Sequence, residues 1–243
     1  MKILLTIPTW NEAAVIERTL MAVCDFARSR LAEHYVTIEV ADNGSTDGTI
    51  DFVNAYIAGM LKQDKLRVTS HALHVAGKGL AIRRSWERHL DDAEILIFTD
   101  ADLAADLSVL PEMIRLIERR EADIVCGSRF VAGAHVSRRM HREIASRIYR
   151  FLQLAILHLP VQDAQCGLKA ISSSAARVLL PLCRETGWMF DSELLFLAKK
   201  EGFRVKEVPV FWVEHRDPTR RSSLRLFRDA WVFLLSVARI SIH

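Results

Sequence analysis

The chain has no CxxC pair and too few cysteines for a framework: Cys24, Cys126, Cys166 and Cys183 stand far apart. That argues against a zinc site or a disulfide-dense secreted scaffold and points to reduced thiols in a cytosolic setting. The N-terminus lacks a long hydrophobic run. "MKILLTIP" carries one Lys and a short apolar stretch before Pro8, too little for a signal peptide or a membrane span, and it reads as a first strand. No G-x-G-x-x-G follows that strand, which argues against a dinucleotide dehydrogenase. "AGKG", residues 76–79, suggests a phosphate loop but lacks the GxxxxGK[ST] pattern, so a P-loop is disfavoured. A calcium loop is excluded in "DNGSTDGT", because Gly44 and Thr46 stand where acidic ligands are needed. Charge of one sign is also scarce. A net charge of +3 over 243 residues does not suggest a nucleic-acid binder. Repeats, low-complexity tracts and linkers are absent.

What is present is a pattern of alternation. Half of the residues are hydrophobic, and the length suits one substantial core, so a single domain over 1–243 with a small appendage is expected. The apolar runs "KILLTI", "VTIEVAD", "LRVTS", "EILIFTD" and "ADIVCGS" read as strands, separated by helix-like stretches beginning near Asn11, Asp47, Lys78 and Asp106. That order predicts an α/β fold with a mostly parallel sheet flanked by helices, because right-handed crossovers join parallel strands most simply. After about residue 130 the pattern changes to a basic loop, "HVSRRMHR", an amphipathic helix near 142–158, a short strand "LKAI", and another helix. A helix from about Asp191, one long strand "VKEVPVFWVEH", a second basic loop and a final apolar helix complete it.

Open α/β sheets bind ligands beyond the carboxyl ends of their strands. Three strand ends carry polar clusters: "IPTWNE", "ADNGSTDGT" and "TDADLA". In a parallel sheet these lie on one edge. The third is notable because a run of Ile, Leu, Ile and Phe ends directly in Asp100 and Asp102. Neighbouring carboxylates repel unless a cation screens them, and a hard ion, Mg²⁺ or Mn²⁺, would do so while keeping coordination sites for phosphate oxygens. Alternatively, Asp102 caps the helix near 106 and Asp100 faces solvent. For "DNGSTDGT" the alternative is a turn with Asp47 as helix cap.

In order and spacing, "IPTWNE", "DNGSTDGT", "GKGLAIRRS", "FTDADLA", "GSRF", "DAQCGLKAI" and "WMFDSELLFLA" together resemble family 2 glycosyltransferases, especially the polyprenyl- or dolichyl-phosphate sugar synthases of the dolichyl-phosphate β-glucosyltransferase branch. The resemblance covers roughly residues 2–230. It implies a GT-A type, Rossmann-like fold with a C-terminal acceptor-side helical extension. It also implies a divalent cation and inverting transfer of a hexose from a nucleotide sugar, of UDP-glucose or GDP-mannose type, to a lipid phosphate. On this reading about 1–128 form the nucleotide-sugar half and about 129–243 the acceptor half. Pro8, Asn11, Glu12 and Asp42 fall around the base and ribose, Lys78 near the nucleotide, and Asp100 and Asp102 on the metal. Arg129 of "GSRF" matches an arginine that meets the acceptor phosphate, and Arg142 and Ser146 match an R-x-x-x-S pair with the same task. Two departures stand out. Ala104 occupies a position where mannose-transferring relatives often have Gln, and "PTRRSSLRL" has Ser223 where a basic residue belongs, leaving Arg220, Arg221 or Arg225 as substitutes.

An acceptor phosphate is anionic and needs no strong general base. A hydroxyl acceptor needs one, with Asp191 or Glu193 of "FDSELL" the candidates and Asp163 a lesser one; the other reading of Asp191 is a helix cap. The terminal "SSLRLFRDAWVFLLSVARISIH" sets Arg225, Arg228 and Arg239 among apolar residues, as in an interfacial helix on anionic lipid. A core or dimer-forming helix has the same pattern. The expected protein is therefore peripheral, at the cytoplasmic face of a membrane, with no nucleic-acid partner. The competing readings are a soluble saccharide acceptor, a nucleotidyltransferase and a non-catalytic nucleotide-sugar sensor.

Overall fold

The computed structural model describes residues 1–61, 64–137, 156–213, 236, 239 and 240. The first half is a run of β–α units: β1 (Lys2–Thr9), α1 (Ile16–Arg30), β2 (Tyr35–Asp42), α2 (Thr49–Gly59), β3 (Leu66–Ala72), α3 (Lys78–His89) and β4 (Ile95–Thr99). A short 3-10 turn (Leu107–Val109), α4 (Leu110–Glu118) and β5 (Ile124–Ser128) follow. Beyond these lie β6 (His135–Ser137), β7 (Leu168–Ser172), α5 (Ser173–Leu179), α6 (Phe190–Lys200), β8 (Val205–Pro209) and β9 (Phe211–Val213). The main sheet has seven strands in the order β3-β2-β1-β4-β7-β5-β8.

The central strands are apolar on both faces because helices cover both. Ile3, Leu5 and Ile7 of β1, with Ile95 and Ile97 of β4, pack towards α1 and α4, whereas Leu4, Leu96 and Phe98 pack towards α3, α5 and α6. This is the two-residue alternation of a strand read on two buried sides. In α4, Leu110, Met113, Ile114 and Ile117 form one buried stripe, and Pro111 sits in the first turn, where its missing N–H costs nothing. Burying each such side chain contributes about 1.5–3 kcal/mol.

Three features of the structure go beyond or depart from the pattern read in the sequence. The strand "LKAI", β7, runs antiparallel between β4 and β5. Its N-terminal end therefore lies at the edge where the parallel strands have their carboxyl ends, which carries the "DAQCG" loop to the ligand side. The run "VKEVPVFWVEH" is not one strand. Its first part, β8, pairs with β5, and its second, β9, pairs with β6 in a separate two-stranded ribbon. The break follows Pro209, which pairs with Ser128 at the last position of β5, where the ladder has no further partner. The first helix starts at Ile16 instead of near Asn11, since Asn11 takes a left-handed φ of 55°. The expected helix near 142–158 and the C-terminal apolar helix fall largely outside the described residues. Among the described residues no helix is long and apolar enough to cross a membrane.

Candidate active site

The carboxyl ends of β1, β2, β4 and β5 share one edge with the loop that enters β7. At the β2 end, Asp42 is buried, and its carboxylate accepts hydrogen bonds from Thr9 Oγ1 (3.1 Å), Ser45 N (3.0 Å) and Ser45 Oγ (2.5 Å). Asn11 N donates to Ser45 Oγ (2.8 Å), and Thr46 N donates to Asn11 Oδ1 (2.8 Å). Glu12 N donates to Thr49 Oγ1 (2.9 Å). Pro8 lies buried one residue before the end of β1, opposite Ala41. Asp42, Asn11, Glu12 and Pro8 are thus brought together, with "IPTWNE" and "DNGSTDGT" clamped into one loop pair. Asp47 accepts from Ala13 N (3.0 Å) as well as from Thr49 N (3.1 Å), so it ties the two loops together at the start of α2, whose cap position is Gly48 and not Asp47. These hydrogen bonds hold its carboxyl below the usual range against the opposing effect of burial.

Asn43 extends the edge: its Oδ1 accepts from Gly77 N at 2.5 Å and brings the "AGKG" turn against β2. The glycines of this turn are required by space. A Cβ at Gly79 would lie 2.3 Å from Phe190 Cβ, and one at Gly77 would lie 2.5 Å from the Thr186 carbonyl oxygen. The turn launches α3 with Lys78, whose Nζ is 2.6 Å from Asp100 Oδ1. That ammonium also lies over the rings of Phe98 (5.1 Å) and Trp188 (5.2 Å). Burial works against its charge, but the carboxylates of Asp100 and Asp191 outweigh it and keep its pKa above the ordinary lysine value.

Asp100 leaves β4 with its side chain 37 % exposed. Its N donates to the Gly167 carbonyl (3.0 Å), and a Cβ at position 167 would lie 1.9 Å from Asp100 Oδ2. Only glycine fits there. Asp102 Oδ1 accepts from Ala104 N (3.1 Å), while the turn before α4 is capped by Asp106, which accepts from Ser108 N (2.8 Å). Capping is therefore the task of Asp106, and Asp102 follows Asp100 by two residues in the loop at the sheet edge. The "DADLA" loop is stitched to β9 by Asp106 N to Phe211 O (2.9 Å) and Val213 N to Ala104 O (2.9 Å).

The antiparallel β7 adds two ion pairs that the motifs did not announce. Lys169 is fully buried, with Nζ 2.8 Å from Asp191 Oδ1 and donating to the Cys166 carbonyl (2.8 Å). Burial opposes its charge, and Asp191 more than compensates, so its pKa is raised. Asp191 is in the first turn of α6 but is not its cap, which is Met189. Arg129 is gripped by Asp163: Nε and Nη2 donate to the two carboxylate oxygens at 2.7 and 2.8 Å, and Arg129 N donates as well at 2.9 Å. Asp163 is itself fixed, since its N donates to Glu207 of β8 (2.9 Å). Despite burial, this pairing raises the pKa of Arg129 and depresses that of Asp163. The guanidinium also stacks near Trp212 (5.7 Å). Glu193 accepts from Arg184 N (2.9 Å) and Glu185 N (2.7 Å), which shapes the loop carrying Trp188. Arg142, Ser146, Arg220, Arg221, Ser223, Arg225 and Arg228 lie outside the described residues.

The sequence did not single out Lys169, Asn43, Gly167 or Trp188. A lysine inside the apolar run "LKAI" was the available signal, since a charge in a buried strand demands a partner. Among the described residues no three His, Cys, Asp or Glu side chains converge into a metal cage. The donor set offered by Asp100 and Asp102 is oxygen only. That suits Mg²⁺ or Mn²⁺, which are held by one or two carboxylates together with ligand phosphates.

Known proteins share this architecture. Glucosyl-3-phosphoglycerate synthase from Mycobacterium tuberculosis, solved in complex with Mn²⁺, uridine diphosphate and phosphoglyceric acid, superposes with a TM-score of 0.67 at 22 % identity, over 97 % of this chain and 78 % of that one. A mannosyltransferase from Pyrobaculum calidifontis, solved with GDP-mannose and Mn²⁺, gives a TM-score of 0.59 at 20 % identity, over 98 % of this chain and 62 % of that one. The fold is thus the GT-A type. In sequence, glycosyltransferase AglD of Haloferax volcanii is 31 % identical over 92 % of this chain and 34 % of its own length. The dolichyl-phosphate β-glucosyltransferase of Saccharomyces cerevisiae is 26 % identical over 86 % of this chain and 66 % of its own length. The chain thus spans between about a third and two thirds of these curated relatives. Residues 5–180 match the family described as "Glycosyl transferase family 2", and the chain, with its acidic strand edge and clamped loops, belongs to that family.

Proposed function

We propose that this chain is an inverting hexosyltransferase that moves a sugar from a nucleoside-diphosphate donor to the phosphate of a polyprenyl or dolichyl lipid. One observation carries the choice of acceptor. Among the described residues, the carboxylates that the sequence offered as a general base are committed elsewhere: Asp191 to Lys169 at 2.8 Å, Asp163 to Arg129, and Glu193 to two backbone N–H groups. A hydroxyl acceptor would have to lose its proton to one of them, whereas a phosphate monoester arrives already charged. The relatives named for dolichyl-phosphate glucosyl transfer support the same reading.

In this account the loops around Pro8, Asn11, Glu12 and Asp42 receive the base and ribose, and Lys78 faces the diphosphate. Asp100 and Asp102 would hold Mg²⁺ or Mn²⁺, which when bound offsets the charge on the departing nucleoside diphosphate. Arg129, fixed in orientation by Asp163, directs its remaining donors at the acceptor phosphate, with Arg142 and Ser146 as further contacts. The acceptor oxygen attacks the anomeric carbon, the bond from that carbon to the β-phosphate oxygen breaks, and no proton has to be removed. About 1–128 then serve the donor and about 129–243 the acceptor. The basic and apolar C-terminal stretch lies against the cytoplasmic face of the membrane that carries the lipid.

A screen of UDP- and GDP-sugars against a short polyprenyl phosphate, with Mn²⁺ or Mg²⁺ present, tests the proposal. Release of free nucleoside diphosphate with a glycosylated lipid phosphate is expected. Release of pyrophosphate would identify a nucleotidyltransferase and overturn it.

A further inference from the structure

Lys78 is held against Asp100 more firmly than a surface lysine could be. Its side chain is 13 % exposed, its Nζ is 2.6 Å from Asp100 Oδ1, and the rings of Phe98 and Trp188 both lie within 5.2 Å of the ammonium. The backbone beneath it is equally fixed. Gly77 N is bonded to Asn43, and Gly79 is packed so closely on Phe190 that a Cβ would overlap it. Asp100 is close-packed as well, because its Oδ2 would lie 1.9 Å from a Cβ at Gly167.

We propose that Lys78 is a resident counter-cation of Asp100 that makes divalent-metal binding conditional on the donor's diphosphate. This rests on the metal role of Asp100 proposed above. A divalent ion taking up Asp100 must share that carboxylate with an ammonium that sits over two aromatic rings on a tightly packed turn. Like charges this close, partly shielded from water, repel strongly, so the metal alone binds weakly. A diphosphate supplies several negative charges between the two cations and turns their opposition into joint attraction. Metal and nucleotide then each tighten the other's binding by the same factor, as linkage requires. The device would keep the acidic edge from loading metal without donor, and it would leave Lys78 paired with a phosphate oxygen in the loaded state.

Electron paramagnetic resonance of free Mn²⁺ measures this without turnover. The full chain is titrated with Mn²⁺ alone and with Mn²⁺ plus UDP, after correction for the Mn²⁺–UDP complex in solution. For the unaltered protein, UDP is expected to tighten Mn²⁺ binding about tenfold or more. Lys78→Met should tighten binding of Mn²⁺ alone by a similar factor and shrink the effect of UDP, whereas Lys78→Arg should keep the weak binding of Mn²⁺ alone. Mn²⁺ affinity in natively folded Lys78→Met that equals or falls below that of the unaltered protein would overturn the proposal while leaving the metal site intact. Should the variant not fold, an unaltered protein whose Mn²⁺ affinity does not respond to UDP overturns it equally. If the unaltered protein binds no Mn²⁺ even with UDP, the metal reading falls too.

Discussion

Replacing Asp163 by Asn removes one charge from the buried ion pair with Arg129 without changing volume. Three hydrogen bonds from Arg129 end on that carboxylate, and both partners are nearly inaccessible to water, with side chains 10 % and 2 % exposed. The variant leaves a guanidinium buried without its counter-charge, a change that costs about 3–5 kcal/mol. For a chain of this size that corresponds to a drop in Tm of roughly 6–20 °C. The pH dependence follows from the depressed pKa of Asp163. Between its folded value and its unfolded value near 3.9, the unfolded chain binds a proton that the folded chain does not, so stability rises with pH across that window. The pair therefore contributes fully above about pH 4 and is lost as pH falls through the lowered folded value. Thermal melts of the unaltered protein and the variant from pH 3 to 7 should converge on the acid side and separate towards neutrality. Arg129→Met and the double variant complete a cycle whose coupling should be large and of stabilising sign. A variant melting within about 1 kcal/mol of the unaltered protein at pH 7, or a coupling near zero, would refute a fixed Arg129.

Other changes probe the donor side and the central charges. Asp102→Asn should leave the fold intact and abolish sugar transfer, measured as nucleoside diphosphate release; full activity, or full activity with excess chelator, would contradict metal dependence. Gly167→Ala forces a methyl group into the Asp100 carboxylate, so Mn²⁺ binding in the presence of UDP should fall sharply. Unchanged binding would mean that Asp100 is not held where the structure has it. Asp191→Asn breaks the pair with buried Lys169 and should cost about 3–5 kcal/mol in a denaturant melt. The turnover of the folded fraction should fall by less than the roughly 10²- to 10⁴-fold that loss of a general base brings.

The sheet was legible because its central strands are covered on both faces. "KILLTI" and "EILIFTD" carry unbroken apolar runs, and the polar clusters following such runs mark the carboxyl edge. Asp100 and Asp102 were legible for the same reason. The direction of β7 was not, since "LKAI" has the same composition whichever way it runs, and only the long connection through "DAQCG" decides it. Lys169, Asp163 and Gly167 gain their roles from that reversal: Lys169 meets Asp191, Asp163 meets Arg129, and Gly167 accommodates Asp100. The split of the last strand depended on where β5 ends, a tertiary fact that no local pattern around Pro209 carries. Asn43 and Trp188 act across the gap between β2, α3 and the loop before α6, contacts far apart in sequence that local spacing does not encode.

The proposal that the acceptor supplies its own charge is tested most directly by offering the protein a short polyprenyl phosphate and the corresponding polyprenol side by side. Both have the same hydrocarbon, and the donor sugar, Mn²⁺ and detergent are held constant. Glycosylated product is followed by mass and nucleoside diphosphate release by a coupled assay. The account predicts stoichiometric sugar transfer to the phosphate and none to the alcohol. Transfer to the alcohol at a comparable rate, or to a soluble saccharide while the lipid phosphate stays unmodified, would contradict it.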